Sequence, residues 1–200
     1  EPHPQPLYEY VAKHLAPLLE RFHRRYPDLS VEVVANDRKL DLVDEGLDLA
    51  LRISHQLEGN LVARRITTIR TIICASPDYL RSHGTPVTPD DLSQHACLRY
   101  TGTPEPGIWR FICPDEQEQQ VAINGPLSAD NGDMLLGAAL QGLGIVRQPT
   151  FLVGEAITDG RLVPLLSAYR MPTLTLSAVY PSRRFLSGKV RAMIDFLLAE

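Results

Sequence analysis

The sequence predicts an α/β fold built on two sheets, and three observations carry that prediction. Short apolar runs with strand period alternate with amphipathic helical runs along most of the chain, as in "LAPLLERFHRRYPDLSVEV" and "GAALQGLGIVRQP". Two hundred residues with 44% apolar and 22% charged content are ordinary globular values, enough for one large domain or two small lobes. The third observation is "LVARRITTIRTIICAS", residues 61–76, too long and too rich in β-branched residues for one strand. A polar break at Thr67-Thr68 divides it, so the segment is expected to leave one sheet and enter another.

After the proline-rich start "EPHPQP", Val11, Leu15, Leu18 and Phe22 recur at helical spacing, and Leu19 widens the stripe. The helix is expected to end at about Arg25, before Tyr26-Pro27, with Pro17 kinking it or marking a late start. "LSVEVVAN" has strand character, and Asn36 or Asp37 can cap the short helix "RKLDLVDE", closed by Gly46. In "LDLALRIS" Leu47, Leu49, Leu51 and Ile53 alternate with Asp48, Ala50 and Arg52, a strand with Asp48 and Arg52 on one face. Strand, helix and strand with short joints predict a right-handed parallel unit.

Ser76-Pro77 is an N-cap followed by proline at the first helical position, opening "PDYLRSHG"; Thr88 opens a second short helix, "TPDDLSQH". "ACLRYT", "GIWRFICP" and "QQVAING" are strands, with "DEQEQ" as a hairpin turn. "SADNGDMLLGAALQGLGIVRQP" holds a capped helix, a glycine stop and a strand. "FLVGEAITDG", "RLVPLL", "LTLSAVYP" and the helix "SGKVRAMIDFLLA" complete the chain.

Charge and motif content exclude several functions. Twenty basic against 24 acidic residues give a formal charge of −4, poor for gripping phosphate backbones unaided. Cys74, Cys97 and Cys113 are odd in number and lack metal-ligand spacing, so neither a disulfide framework nor a metal is expected. No run is long and apolar enough to span a membrane, and the first residues lack the pattern of a signal peptide, so a cytoplasmic location is expected. The glycines of "GAALQGLGI" follow a helix and precede a strand, the reverse of a dinucleotide loop. There is no G-x-S-x-G elbow and no H-E-x-x-H pair, so an enzyme is not expected; of six histidines only His55 adjoins a candidate site.

The segments "LAPLLERFHRRYPDLSVEV", "DLVDEGLDLALRI", "LVARRI", "CASPDYLRSHGTPVTPDDLSQHACLRY", "GAALQGLGI", "GRLVPLL" and "VYPSRRFLSGKVRAMIDFL" together resemble the effector-binding domain of LysR-type transcriptional regulators. The resemblance spans roughly residues 15–198. It implies a type II periplasmic-binding-protein-like fold: two Rossmann-like lobes, 1–66 with 177–200 and 67–176, joined by two crossover strands hinged at Thr67, Thr68, Ser177 and Ala178. It also implies a ligand-sensing domain of a homodimer or higher homo-oligomer, binding a small-molecule effector, without a cofactor. A periplasmic solute-binding protein for transport is the alternative on the same fold. Two features depart from the family. "EPHPQP" cannot form the central strand that normally opens this domain, because proline removes ladder donors. The family's winged helix-turn-helix does not occur in these 200 residues, so DNA is expected to be contacted only through a domain absent from this chain.

Within that fold, chain direction brings Asn36-Asp37, Ile53-Ser54, Thr101-Gly102, Asp130-Asn131-Gly132 and Arg147-Gln148-Pro149 to an inter-lobe cleft as the effector pocket. Free N–H groups at a helix start and Arg147 favour an anionic effector such as a carboxylate. Asn36, Asp37 and Asn131 read equally well as caps, Arg147 as a surface ion-pair partner, and Trp109 as core. Asp48 is expected to pair locally, with Arg52 or a neighbouring arginine. The helix containing Met134, Leu135 and Leu136 is apolar on nearly every side. By the resemblance it meets the stripe Leu15, Leu18, Leu19 and Phe22 of a second protomer.

Overall fold

The structure, a computed structural model of the chain, describes residues 15–33, 42, 46, 48–54, 62–181 and 187–199, with backbone alone at 53 and 54. The chain divides into two compact units. Arg70–Thr173 forms one, and Leu7–Ile69 with Leu174–Glu200 supplies the other.

In the second of these, the described elements are α1 (Ala16–Arg25), β1 (Ala50–Ser54), β2 (Val62–Ile69), β10 (Leu174–Tyr180) and α5 (Gly188–Ala199). The sheet order is β1-β10-β2, antiparallel throughout. α5 lays Val190 and Ile194 on Ala178 and Tyr180 of β10. It also meets α1 through an edge-on contact of Phe22 with Phe196, ring centroids 5.4 Å apart.

The Arg70–Thr173 unit is built from β3 (Thr71–Ala75), α2 (Pro77–His83), a 3₁₀ helix (Pro89–Gln94), β4 (Cys97–Tyr100), β5 (Ile108–Ile112) and β6 (Glu118–Ala122). It continues with β7 (Ser128–Ala129), α3 (Gly132–Leu140), β8 (Ile145–Pro149), α4 (Thr150–Thr158) and β9 (Val163–Leu165). Its main sheet has the order β7-β4-β8-β3-β9, with β4 parallel to β7 and β8, and β3 antiparallel to β8 and β9. β5 and β6 pair separately as a hairpin.

Strand alternation sorts this unit's apolar residues onto two faces. Ile73, Ala75, Cys97 and Ile145 pack with Tyr79, Leu92, Trp109 and Phe111, so α2, the 3₁₀ helix and the hairpin cover one face. Cys74, Leu98 and Val146 pack with Leu135, Ala139, Val153 and Ala156, so α3 and α4 cover the other. Each large side chain so buried stabilises by ~1.5–3 kcal/mol before entropy. That double burial explains why β3 and β8 read as continuous apolar runs. The joint between α3 and β8 needs both glycines of "GLG". Gly142 has φ +85°, and a Cβ on Gly144 would stand 2.5 Å from the Ala96 carbonyl oxygen.

Several expectations change. The long segment 61–76 breaks at Arg70, not at Thr67-Thr68. Both threonines stay in β2 because β10 pairs with them, Thr67 opposite Leu176 and Thr68 opposite Thr175. β1 pairs antiparallel with β10, and no parallel partner of β1 occurs among the described residues. Residues 29–33 of "LSVEVVAN" carry no ladder, with Val31 and Val33 nearly half exposed; residues 34–36 lie outside the described residues. β1 opens at Ala50, so Asp48 stands ahead of the strand rather than across from Arg52's face. "TPDDLSQ" winds as a 3₁₀ helix, held by Asp91 Oδ2, which accepts the N–H groups of Val87 and Thr88. Pro17 falls in the first turn of α1, where its missing N–H costs nothing.

Candidate functional site

Parallel β4, β7 and β8 end on one edge of the main sheet, and antiparallel β3 begins there. Thr101, Asp130, Pro149 and Thr71 therefore share that edge. Thr101 and Gly102 are exposed, and the Thr101 N–H donates to the Ala129 carbonyl at 2.9 Å. Asp130 is exposed as well.

Asn131 caps α3: its Oδ1 accepts the Met134 N–H at 3.0 Å. Asp133 adds negative charge to the first turn, where the helix dipole favours it. The cap and this acid already serve the helix start. Gln148, only 3% exposed, sends Nε2 to the Gly132 carbonyl oxygen at 3.1 Å and so fixes the start of α3 against β8. Pro149 ends β8 opposite Thr71 and leads into α4.

Arg147 lies on the other face of the sheet, because it alternates with Val146 and Gln148. Its Nε donates to Thr71 Oγ1 at 3.1 Å and its Nη2 to the Pro172 carbonyl oxygen at 3.3 Å. Among the described residues no carboxylate pairs with it. Burial, with a smaller contribution from the Arg110 charge, holds its pKa down to about 10, so it remains a cation at neutral pH. Arg147 and Gln148 are thus neighbours in sequence but not partners at one wall. Thr71, which sets the guanidinium's position, was absent from the expected site. Its place in the third apolar run gave no sign of which arginine it would meet.

Of the remaining expected positions, Asn36, Asp37 and His55 lie outside the described residues, and Ile53 and Ser54 form the end of β1. The expected hinge residues sit inside the three-stranded ladder. Ser177 and Ala178 are fully buried between β1 and β2, and the units join at Ile69–Arg70 and Thr173–Leu174. Ser177 and Ala178 pair on both sides, with a ladder irregularity between Leu176 and Ser177, while Thr67 and Thr68 pair with β10 alone. Of the expected interface residues, Leu15, Phe22 and Leu135 are already buried within their own units, at 6%, 2% and 0% exposure. Leu18, Leu19 and Leu136 are half-buried, and Met134 is 56% exposed.

A second polar cluster lies at the opposite end of β4. Tyr79 Oη accepts the Ala96 N–H at 3.1 Å and meets His95 Nδ1 at 2.8 Å, while the Tyr79 ring stacks on His83. Burial pushes the Cys74 and Cys97 thiols up to about 12, so neither is a nucleophile at neutral pH. Among the described residues no cluster of His, Cys, Asp and Glu can hold a metal, and no helix is long and apolar enough to cross a membrane.

Residues 8–200 match the family model described as the LysR substrate binding domain. The chain is 37% identical over 184 residues to the HTH-type transcriptional regulator DmlR of Escherichia coli, covering 92% of this chain and 59% of that protein. It is 40% identical over 176 residues to an uncharacterized HTH-type transcriptional regulator of Haemophilus influenzae, covering 88% of this chain and 61% of that protein. The chain thus spans about three-fifths of the length of the curated relatives it matches. Among solved structures, the regulatory domain of CrgA from Neisseria meningitidis superposes with a TM-score of 0.77 at 32% identity, covering 95% of this chain and 93% of that one. These relatives are named as transcriptional regulators, neither enzymes nor transport proteins. With its two α/β units, its capped α3 behind the edge of β4 and β8, and a family match from residue 8 to residue 200, the chain belongs to the LysR substrate-binding domain family.

Proposed function

We propose that this effector-binding domain senses a small organic anion, such as a carboxylate, at the strand-end edge of its Arg70–Thr173 unit. Occupancy would pass to DNA binding through the conformation of a homodimer in the cytoplasm. DNA would be reached only through a part of the regulator outside these 200 residues. One observation carries the ligand class: Arg147 is a largely buried cation, held by two neutral acceptors, with no carboxylate of its own among the described residues. A guanidinium in that setting is matched by a planar carboxylate, which accepts two parallel N–H bonds. The exposed Met134 on α3, beside half-buried Leu136, supports a helix face covered by a second protomer.

Thermal-shift screening of the chain against carboxylates and neutral compounds tests the ligand class. A ligand present at 100 times its Kd stabilises by about 2.7 kcal/mol. Carboxylates should raise the melting temperature, and Arg147→Ala should weaken the response. Stabilisation by neutral compounds alone, with a normal response in the mutant, refutes the anion. Sedimentation at micromolar concentration reads the dimer, which Met134→Asp should weaken.

A further inference from the structure

The Arg147 guanidinium does not stand alone on its face of the sheet. β4 and β8 run parallel with Cys97 opposite Ile145 and Leu98 opposite Val146; the ladder ends there, and Arg99 and Arg147 are the next residue of each strand. Neighbouring strands lie ~4.8 Å apart. Alternation gives both arginines the same face: Cys97 and Ile145 pack in the hairpin-side core, Leu98 and Val146 in the helix-side core.

No protein carboxylate offsets these two charges among the described residues. Arg99 Nε is buried and has no hydrogen-bond partner, and no carboxylate pairs with Arg99. Arg147 spends Nε and Nη2 on Thr71 and Pro172, both neutral acceptors. Arg110, the third cation nearby, is already matched by Glu105. A buried guanidinium nitrogen left unpaired is costly.

Resting on the anion reading of Arg147, we infer that Arg99 and Arg147 together form a site for a compact dianion, either a dicarboxylate or a phosphorylated small molecule. Arg147 engages the first negative group and Arg99 sets the preference for a second. Ser128, opposite Arg99 on the adjoining β7, adds a hydroxyl on the same side of the sheet.

The test uses the 200-residue chain with three probes at matched ionic strength and pH 7.5: acetate, succinate and inorganic phosphate. Calorimetry should show succinate or phosphate binding at least tenfold more tightly than acetate, and the better of the two identifies the source of the charge. Arg99→Gln should remove that preference and leave acetate binding in place, whereas Arg147→Gln should reduce all three. Circular dichroism checks folding, and Arg99→Met, which keeps the apolar stem, replaces a Gln variant that does not fold. If acetate binds as well as the dianions, or if the Arg99 variants keep the preference, the dianion site is refuted while the anion reading survives. If no anion binds at all, both fall together.

Discussion

Tyr79→Phe isolates a single oxygen that serves two partners. In the wild type the Tyr79 hydroxyl accepts the Ala96 N–H and hydrogen-bonds with His95 Nδ1, tying α2 to the entry of β4. Deleting it removes two hydrogen bonds, each worth ~0.5–1.5 kcal/mol net, and leaves a part-buried amide unpaired. The expected loss is ~2 kcal/mol, or roughly 4–8 °C in melting temperature for a chain of this size. The same variant should change the pH dependence. Burial holds the His95 pKa below its ordinary 6.5; His83 on α2 pushes the same way, and Asp91 on the 3₁₀ helix opposes both. A histidine depressed in the folded state contributes stability that is complete above about 6.5 and is lost as pH falls through the folded value. Phenylalanine removes the ring's partner at Nδ1, so the His95 titration should move from its wild-type value. Thermal melts at pH 7.5 and 5.0, with an NMR titration of the His95 ring, read both effects. The reasoning fails if Tyr79→Phe melts within 1 °C of wild type at pH 7.5, or if wild-type His95 titrates at or above 6.5.

Two further outcomes are expected. Gln148→Leu should cost ~0.5–1.5 kcal/mol by removing the bond that ties β8 to the Gly132 carbonyl at the start of α3, and hydrogen exchange in the first turn of α3 should accelerate; unchanged exchange there would break the link between β8 and the helix start. Native protein at pH 8 should label with a thiol reagent at Cys113 alone, because Cys74 and Cys97 are buried with thiols near 12; mass spectrometry counts the adducts, and rapid labelling of either buried cysteine contradicts the packing.

Local chemistry made much of the fold legible. Ser76-Pro77 announced α2, and the serine hydroxyl does accept the Tyr79 N–H at 3.1 Å. The glycines after "GAALQ" announced the end of α3, and the backbone obeys with Gly142 at positive φ. Pairing was harder to read. Thr67-Thr68 looked like a break because both are polar, yet a threonine is β-branched and suits a strand whose other face is covered. What decided the matter was β10, more than 100 residues away in sequence, which pairs through both threonines. For the same reason β1 seemed to belong to a parallel unit: its apolar alternation is indifferent to the direction of its neighbour.

The candidate site shows the same limit more sharply. Read along the chain, Arg147 and Gln148 formed one hint, since both end a strand at the same edge. Alternation splits them: Gln148 turns to α3 and Arg147 to the opposite face, a consequence readable from the sequence once β8 is assigned. Arg99 carried no such signal, because a strand ending Cys97, Leu98, Arg99 and Tyr100 is compatible with an arginine in solvent. Its meaning comes from the strand beside it. The parallel run of β4 beside β8 puts it on the same face as Arg147, and that placement, with its buried unpaired Nε, is what motivates the dianion proposal.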